Sequence, residues 1–227
     1  MKKAYIPLLL SVLFLSSCAH RFQVFDIHSE EVISEAGDYF LYENDELEIY
    51  YDYWTEGGIP VFKIHNRTAD TLFLDLAKSA FKVNGVSIDY YNPTYKGQQY
   101  EILRPIPLPP VVYVLPYKSY QLEGFPISWR WERIKNDPGY VRFTERDSPI
   151  RFTNKIAYFQ RLTPDRRVVE NEFWVGRIKK YKRKDFEEFK KRKNIKSNKF
   201  YVYRPDDGND VIWGDAIQAV LEILLLF

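Results

Sequence analysis

Apolar positions crowd the start of the chain, alternate with polar ones through its middle and return at helical spacing near its end. From Ala4 to Leu15 nearly every residue is apolar, behind the charged pair Lys2 and Lys3. A run of about a dozen residues is too short for a hydrocarbon core that takes about 20 helical residues, and Pro7 interrupts it. Charged, then apolar, then small is the layout of a secretory leader that is cut off on export.

The middle reads as strands. Leu47, Ile49, Tyr51 and Tyr53 alternate with Glu48, Tyr50 and Asp52 up to Gly57-Gly58, and Val61 to His65 resumes the pattern before the turn residues Asn66 to Asp70, so the two runs predict a hairpin. Ala80 to Val83 and Val86 to Tyr90 flank Asn84-Gly85, the dipeptide suited to a tight turn whose two central residues need positive φ. Prolines 105, 107, 109, 110 and 116 exclude a central strand between them and predict an extended segment on a surface or sheet edge. Further strands are predicted over 117–125, 140–144, 150–160 and 168–178, separated by turns such as Asn136-Asp137-Pro138-Gly139. No helical period intervenes to suggest βαβ units.

The last fifty residues change character. Asp185 and Glu188 have the spacing of a capping box, Phe186 and Phe189 form an apolar stripe, and Lys190 to Lys193 suits a helix C-terminus, so a short basic helix is expected. A second helix is expected from Asp215, with Ile217, Val220, Leu221 and Leu224 on one face. At 1.5 Å per residue it is about 18 Å long and cannot span a bilayer. Its apolar stripe either packs on the sheets or meets a partner or membrane surface.

These patterns predict a mainly β chain: a single antiparallel β-sandwich with a short basic helix and a C-terminal apolar helix. The expected divisions are a signal peptide over 1–17, a tether over 18–38 that adds at most one early strand, the sandwich over 39–178 and a helical segment over 179–227. Aromatic residues make up 17% of the chain and come in clusters such as Tyr50, Tyr51, Tyr53 and Trp54, which suits half-buried pleated surfaces.

Charge removes one class of partner. Of 33 basic and 31 acidic side chains, Lys2 and Lys3 leave with the leader, so the mature chain is formally neutral and nucleic acid is not an expected partner. Acids are dense from Asp26 to Asp75 and bases from Arg177 to Lys199, two regions expected to face each other or water, with a partner-binding dipole as the alternative.

Candidate chemistry is sparse. The histidines are His20, His28 and His65, two of them in the expected tether, and no nucleophile-elbow sequence lies near His65. There is no glycine-rich phosphate loop and no histidine pair at metal spacing, and Asp206 to Asp210 lacks the ligand order of a calcium loop. No catalytic set, metal or cofactor is expected. Carboxylate pairs such as Glu46 with Glu48 or Glu170 with Glu172 fall on one strand face, as spacing by two dictates. Trp54, Trp129 and Trp131 are candidates for stacking on sugar rings, and in Trp129-Arg130-Trp131 a strand would put both indoles on one face. Asn66-Arg67-Thr68 is a sequon, and Asp70-Thr71-Leu72 has the form of a short O-glycosylation site.

Leu15-Ser16-Ser17-Cys18 resembles the lipobox of bacterial lipoproteins. The resemblance implies cleavage between Ser17 and Cys18, lipid on the Cys18 sulfur and attachment to a membrane. Cys18 is the only cysteine, so the mature chain has no internal disulfide. The stretch Glu43 to Asn92, with Glu43-Asn-Asp-Glu-Leu-Glu-Ile49, Gly57-Gly58, Lys78-Ser-Ala-Phe-Lys-Val-Asn-Gly85 and Asp89-Tyr-Tyr91, followed by Leu115-Pro-Tyr-Lys-Ser119, is similar to uncharacterised lipoproteins of Bacteroidetes. That likeness implies an Ig-like sandwich and no particular activity. An acidic cluster after the lipidated cysteine would imply export to the cell surface; Ala19 to Gln23 has none, which implies a periplasm-facing leaflet of the outer membrane. The leading expectation is a noncatalytic envelope lipoprotein binding a protein partner, with Ile217, Val220, Leu221 and Leu224 as its contact. The alternatives are a surface glycan-binding module and an unrecognised hydrolase.

Overall fold

The computed structural model describes residues 22–32, 40–92, 94–95, 98–99, 108–134, 139–161, 165–191 and 197–204. The leader, Cys18 and the stripe Ile217, Val220, Leu221 and Leu224 lie outside the described residues. In chain order the strands are β1 (Phe22–His28), β2 (Phe40–Glu43), β3 (Leu47–Asp52), β4 (Val61–Asn66), β5 (Leu72–Asp75), β6 (Ala80–Val83), β7 (Val86–Asp89), β8 (Thr94–Tyr95), β9 (Gln98–Gln99), β10 (Val111–Val114), β11 (Ser119–Glu123), β12 (Tyr140–Arg142), β13 (Arg151–Gln160), β14 (Arg167–Tyr181) and β15 (Lys199–Tyr203). Among the described residues one helix, α1, covers Arg183–Lys190.

All the ladders between these strands are antiparallel. A nine-stranded sheet runs β10-β5-β13-β14-β1-β15, with β12 on β14 and the β6–β7 hairpin on β13; a four-stranded sheet runs β11-β4-β3-β2, and β8 pairs with β9. The chain is thus mainly β, built of antiparallel sheets consistent with a sandwich. Strict alternation decides which side chains turn inward: Leu47, Ile49 and Tyr51 of β3 and Phe62 and Ile64 of β4 are buried, opposite Phe152, Ile156, Val169, Phe173 and Val175 of β13 and β14. Rings interlock across the layer, as where Tyr51 meets Phe173 edge-on with centroids 5.2 Å apart. The hairpins expected from β3–β4 and β6–β7 are present, and Asn84 and Gly85 both have positive φ (46° and 86°).

A polar chain crosses this apolar layer. The Tyr90 hydroxyl donates to Asn154 Oδ1 (2.7 Å), Asn154 Nδ2 donates to the Tyr51 hydroxyl (3.3 Å), and that hydroxyl donates to Asn171 Oδ1 (2.6 Å). Asn154 and Asn171 are paired across β13 and β14, and both are buried. Burial pushes the Tyr51 phenol well above its usual pKa, which keeps it a neutral donor.

Three expectations are revised. First, the stretch assigned to a tether does hold the one early strand allowed for it, but that strand, β1, lies between β14 and β15 inside the larger sheet. β1 escapes a period-2 reading because both of its faces are covered: Phe25 and Ile27 enter the main core, while Phe22 and Val24 pack under α1. Its polar residues are paired, Gln23 with the Glu132 backbone in both directions (2.7 and 2.8 Å) and Asp26 with Arg177 and with Lys199 (2.9 Å). The early acidic region and the late basic one therefore do meet, at Asp26. Second, the sheet does not end at 178: β14 continues to Tyr181, and β15, from the supposedly helical segment, pairs with β1 residue for residue from Phe22↔Tyr203 to Asp26↔Lys199. Third, α1 does not start on an Asp185 capping box. Its N-cap is Lys182, with no side-chain bond, and Asp185 instead supplies negative charge within the first turn, where the helix dipole favours it.

Candidate binding surface

β10 forms one end of the long sheet, held between Pro110 and Pro116. Its alternation is clean: Val112 and Val114 are buried, whereas Val111 and Tyr113 face outward. Registers carry the outward row inland, since Tyr113 lies opposite Phe73 of β5 and Phe73 opposite Phe159 of β13. Phe73 and Phe159 stack 5.1 Å apart, 9° from parallel. Tyr113 (67%), Tyr117 (62%), Leu115 (52%) and Val168 (52%) are among the most exposed large apolar residues described, and they border this row or its adjoining corner. The surface is therefore an aromatic and aliphatic stripe beside a strand whose second edge pairs with no described strand.

The corner that follows β10 turns the chain into the other sheet. Lys118 N donates to Leu115 O (3.1 Å), with Pro116 and Tyr117 between, the form of a type II turn. Its third position demands positive φ and normally carries glycine; here Tyr117 takes φ of 56°. Left-handed backbone costs a residue with a Cβ about 1–2 kcal/mol. The turn is held against that cost by Asn66, whose side-chain amide donates to Asp70 O (2.8 Å), Val114 O (3.0 Å) and Leu115 O (3.2 Å). Asn66 is fully buried, so the sequon it heads is a structural clasp rather than an accessible acceptor. The prolines point to an extended segment at a surface or sheet edge here, but nothing in the sequence signals an exposed tyrosine in a left-handed turn.

The candidate tryptophans are placed apart in role. Trp54 is packed among Phe186, Phe189 and Tyr201 beneath α1. Trp129 is 54% exposed and lies on Gly57, where a Cβ would come within 2.8 Å of the indole, and Trp131 has Lys180 Nζ 6.0 Å from its ring centre. Residues 128–134 are not a strand, so the expectation that Trp129 and Trp131 share a strand face does not apply.

One arrangement was invisible in sequence. The register β11-β4-β3 brings Ser119, His65 and Glu48 into one row, with Ser119 Oγ 3.1 Å from His65 Nδ1. Glu48 does not complete a triad, because it accepts from the Tyr50 hydroxyl (2.7 Å) and sits 3.7 Å from Arg67 Nε. A groove of about 310 Å³ opens beside the β6–β7 turn, lined by Lys82, Glu145, Arg151, Glu172 and Trp174, and its charges pair across it through Arg151 with Glu145 and Glu172. Among the described residues no group of three or more His, Cys, Asp or Glu is placed to hold a metal ion, and no helix is long and apolar enough to cross a membrane. Comparison with protein-family models, curated proteins and solved structures returns no match.

Proposed function

We propose that this chain is a noncatalytic lipoprotein of a bacterial cell envelope. In this reading it is anchored through lipid on Cys18 to the periplasm-facing leaflet of the outer membrane, and its sandwich, of Ig-like type, binds a protein partner along β10. The support for an anchor is the order of leader, small residues and lone cysteine in the sequence. The observation that carries the binding role is Tyr117, an exposed aromatic residue held in a conformation that costs stability at the end of the Tyr113 stripe. Strain retained at an exposed aromatic is a sign of use, since glycine would serve the turn better. An extended segment of a partner fits such a site by adding to the edge of β10 through backbone bonds while alternate side chains rest on Tyr113 and Leu115.

The test is a pull-down from native membranes with the tagged protein and its Tyr117→Gly variant. Relief of the left-handed backbone is expected to raise unfolding stability by about 1 kcal/mol. The same change is expected to reduce capture of a stoichiometric partner. Unchanged capture by Tyr117→Gly together with Tyr113→Ala contradicts this site. A bound glycan in place of a protein, lost on Trp129→Ala, would favour the sugar-binding alternative.

A further inference from the structure

We propose that the end of the sandwich at which β1 begins is a membrane-facing surface that lies on anionic lipid headgroups. The inference rests on the Cys18 anchor for its orientation, and on the structure for its chemistry. Phe22, the first residue of β1, stands four positions after Cys18, so the linking chain reaches about 14 Å at most. A lipid on Cys18 therefore leaves little freedom: the edge of the sheet nearest Phe22 is held at headgroup level.

Registers identify what stands at that edge. Phe22 pairs with Tyr181 on one side and Tyr203 on the other, and Tyr140 of β12 pairs with Lys179. From Tyr181 the chain continues through Lys182, Arg183 and Lys184 into α1, and from Tyr203 into Arg204. Gln23 fastens the Glu132 backbone here, bringing Trp131 beside Lys180. The described acids at this end are Glu132 and, on α1, Asp185, Glu187 and Glu188, against Lys179, Lys180, Lys182, Arg183, Lys184, Lys190 and Arg204, so bases still predominate. Aromatic rings accompany them: Lys179 Nζ is 4.7 Å from the Tyr181 ring centre, and Tyr140 is 52% exposed. Lysine and arginine interleaved with tyrosine and tryptophan is the chemistry of a headgroup interface, where cations meet phosphate and amphipathic rings sit at the boundary. The opposite end of β14, at Arg167, is about 45 Å away at 3.3 Å per residue and adjoins the β10 surface through β13 and β5. The basic end thus orients the proposed partner site away from the bilayer.

The experiment uses the acylated protein reconstituted into vesicles with 30% phosphatidylglycerol, and into vesicles of phosphatidylcholine alone. Because lipid would occupy the only native thiol, a spin label can be placed singly by Tyr140→Cys at the basic end or by Val168→Cys near the far end. In anionic vesicles the label at 140 is expected to lose at least threefold of its accessibility to a water-soluble nickel relaxant, while the label at 168 stays fully aqueous. Combined Lys180→Glu, Lys182→Glu and Arg183→Glu changes, or vesicles without anionic lipid, should return the label at 140 to water. Equal aqueous exposure of the two labels in anionic vesicles overturns the surface. Intact mass measured on the same samples reports the anchor separately. If the acyl group is absent the anchor reading fails, and the surface then stands only if the charge reversals lower cosedimentation with anionic vesicles at least tenfold.

Discussion

Tyr51 and Tyr53 stack within the same core, 6.0 Å apart and nearly parallel, yet their hydroxyls have opposite fates. That of Tyr51 joins the Asn154–Asn171 chain, and that of Tyr53 is buried without a hydrogen-bond partner. Removing a paired buried hydroxyl strands its partners, whereas removing an unpaired one relieves a desolvation cost. Tyr51→Phe is therefore expected to lose about 1–3 kcal/mol in urea unfolding, while Tyr53→Phe is neutral or gains about 1 kcal/mol. A loss for Tyr53→Phe equal to that for Tyr51→Phe would show that the Tyr53 hydroxyl is satisfied. His28 offers a second test. Its ring lies against Gly176, where a Cβ would come within 2.2 Å of it, and beside Trp174. Burial lowers its pKa below 6.5, opposed by Asp26 and reinforced by Lys199 and Arg177. The unfolded chain then binds the proton more readily, so His28's contribution is complete above pH 6.5 and is lost as pH falls towards the folded value. His28→Gln should flatten the thermal midpoint over that acidic limb; an unchanged slope would assign it to other groups.

At the scale of elements, what could be read in the sequence followed solvent exposure. β3, β4 and the β6–β7 hairpin each have one wet face, so polar and apolar residues alternate and the turn residues mark their ends. β1 has no wet face, and its Gln23 and Asp26 look like surface residues until their partners 109 and 151 positions away are known. β15 is hidden in the same way, because Phe200 and Val202 face the core while Tyr201 and Tyr203 pack around Phe22 and α1. The helix itself follows from local spacing, but its role does not: Phe186 stacks on Phe22 with centroids 3.9 Å apart and closes a second small core over the sheet. Phe186→Ala is expected to cost about 3–5 kcal/mol, measured by denaturant unfolding. A cost below 1 kcal/mol would mean that α1 is an appendage and that β1 does not need its cover. Of the candidate site, the β10 edge was legible through its prolines, whereas the positive φ of Tyr117 and the Ser119–His65 approach depend on pairings between distant strands.

For the whole molecule, the position of β1 links address to architecture. On the proposed reading, a strand that begins four residues past Cys18 and lies between β14 and β15 leaves the body resting on the membrane with little reach. In the proposed account one end carries lipid, bases and aromatic rings, and the other presents the Tyr113 and Tyr117 surface to a partner. The anchoring and orientation in this account depend on processing at Cys18, so the most direct measurement is the intact mass of the protein extracted from its native membranes. The account predicts a polypeptide beginning at Cys18 with the added mass of a diacylglyceryl group and an amide-linked acyl chain. A mass that retains Met1 to Ser17, or a chain cut elsewhere with Cys18 unmodified or absent, would contradict it.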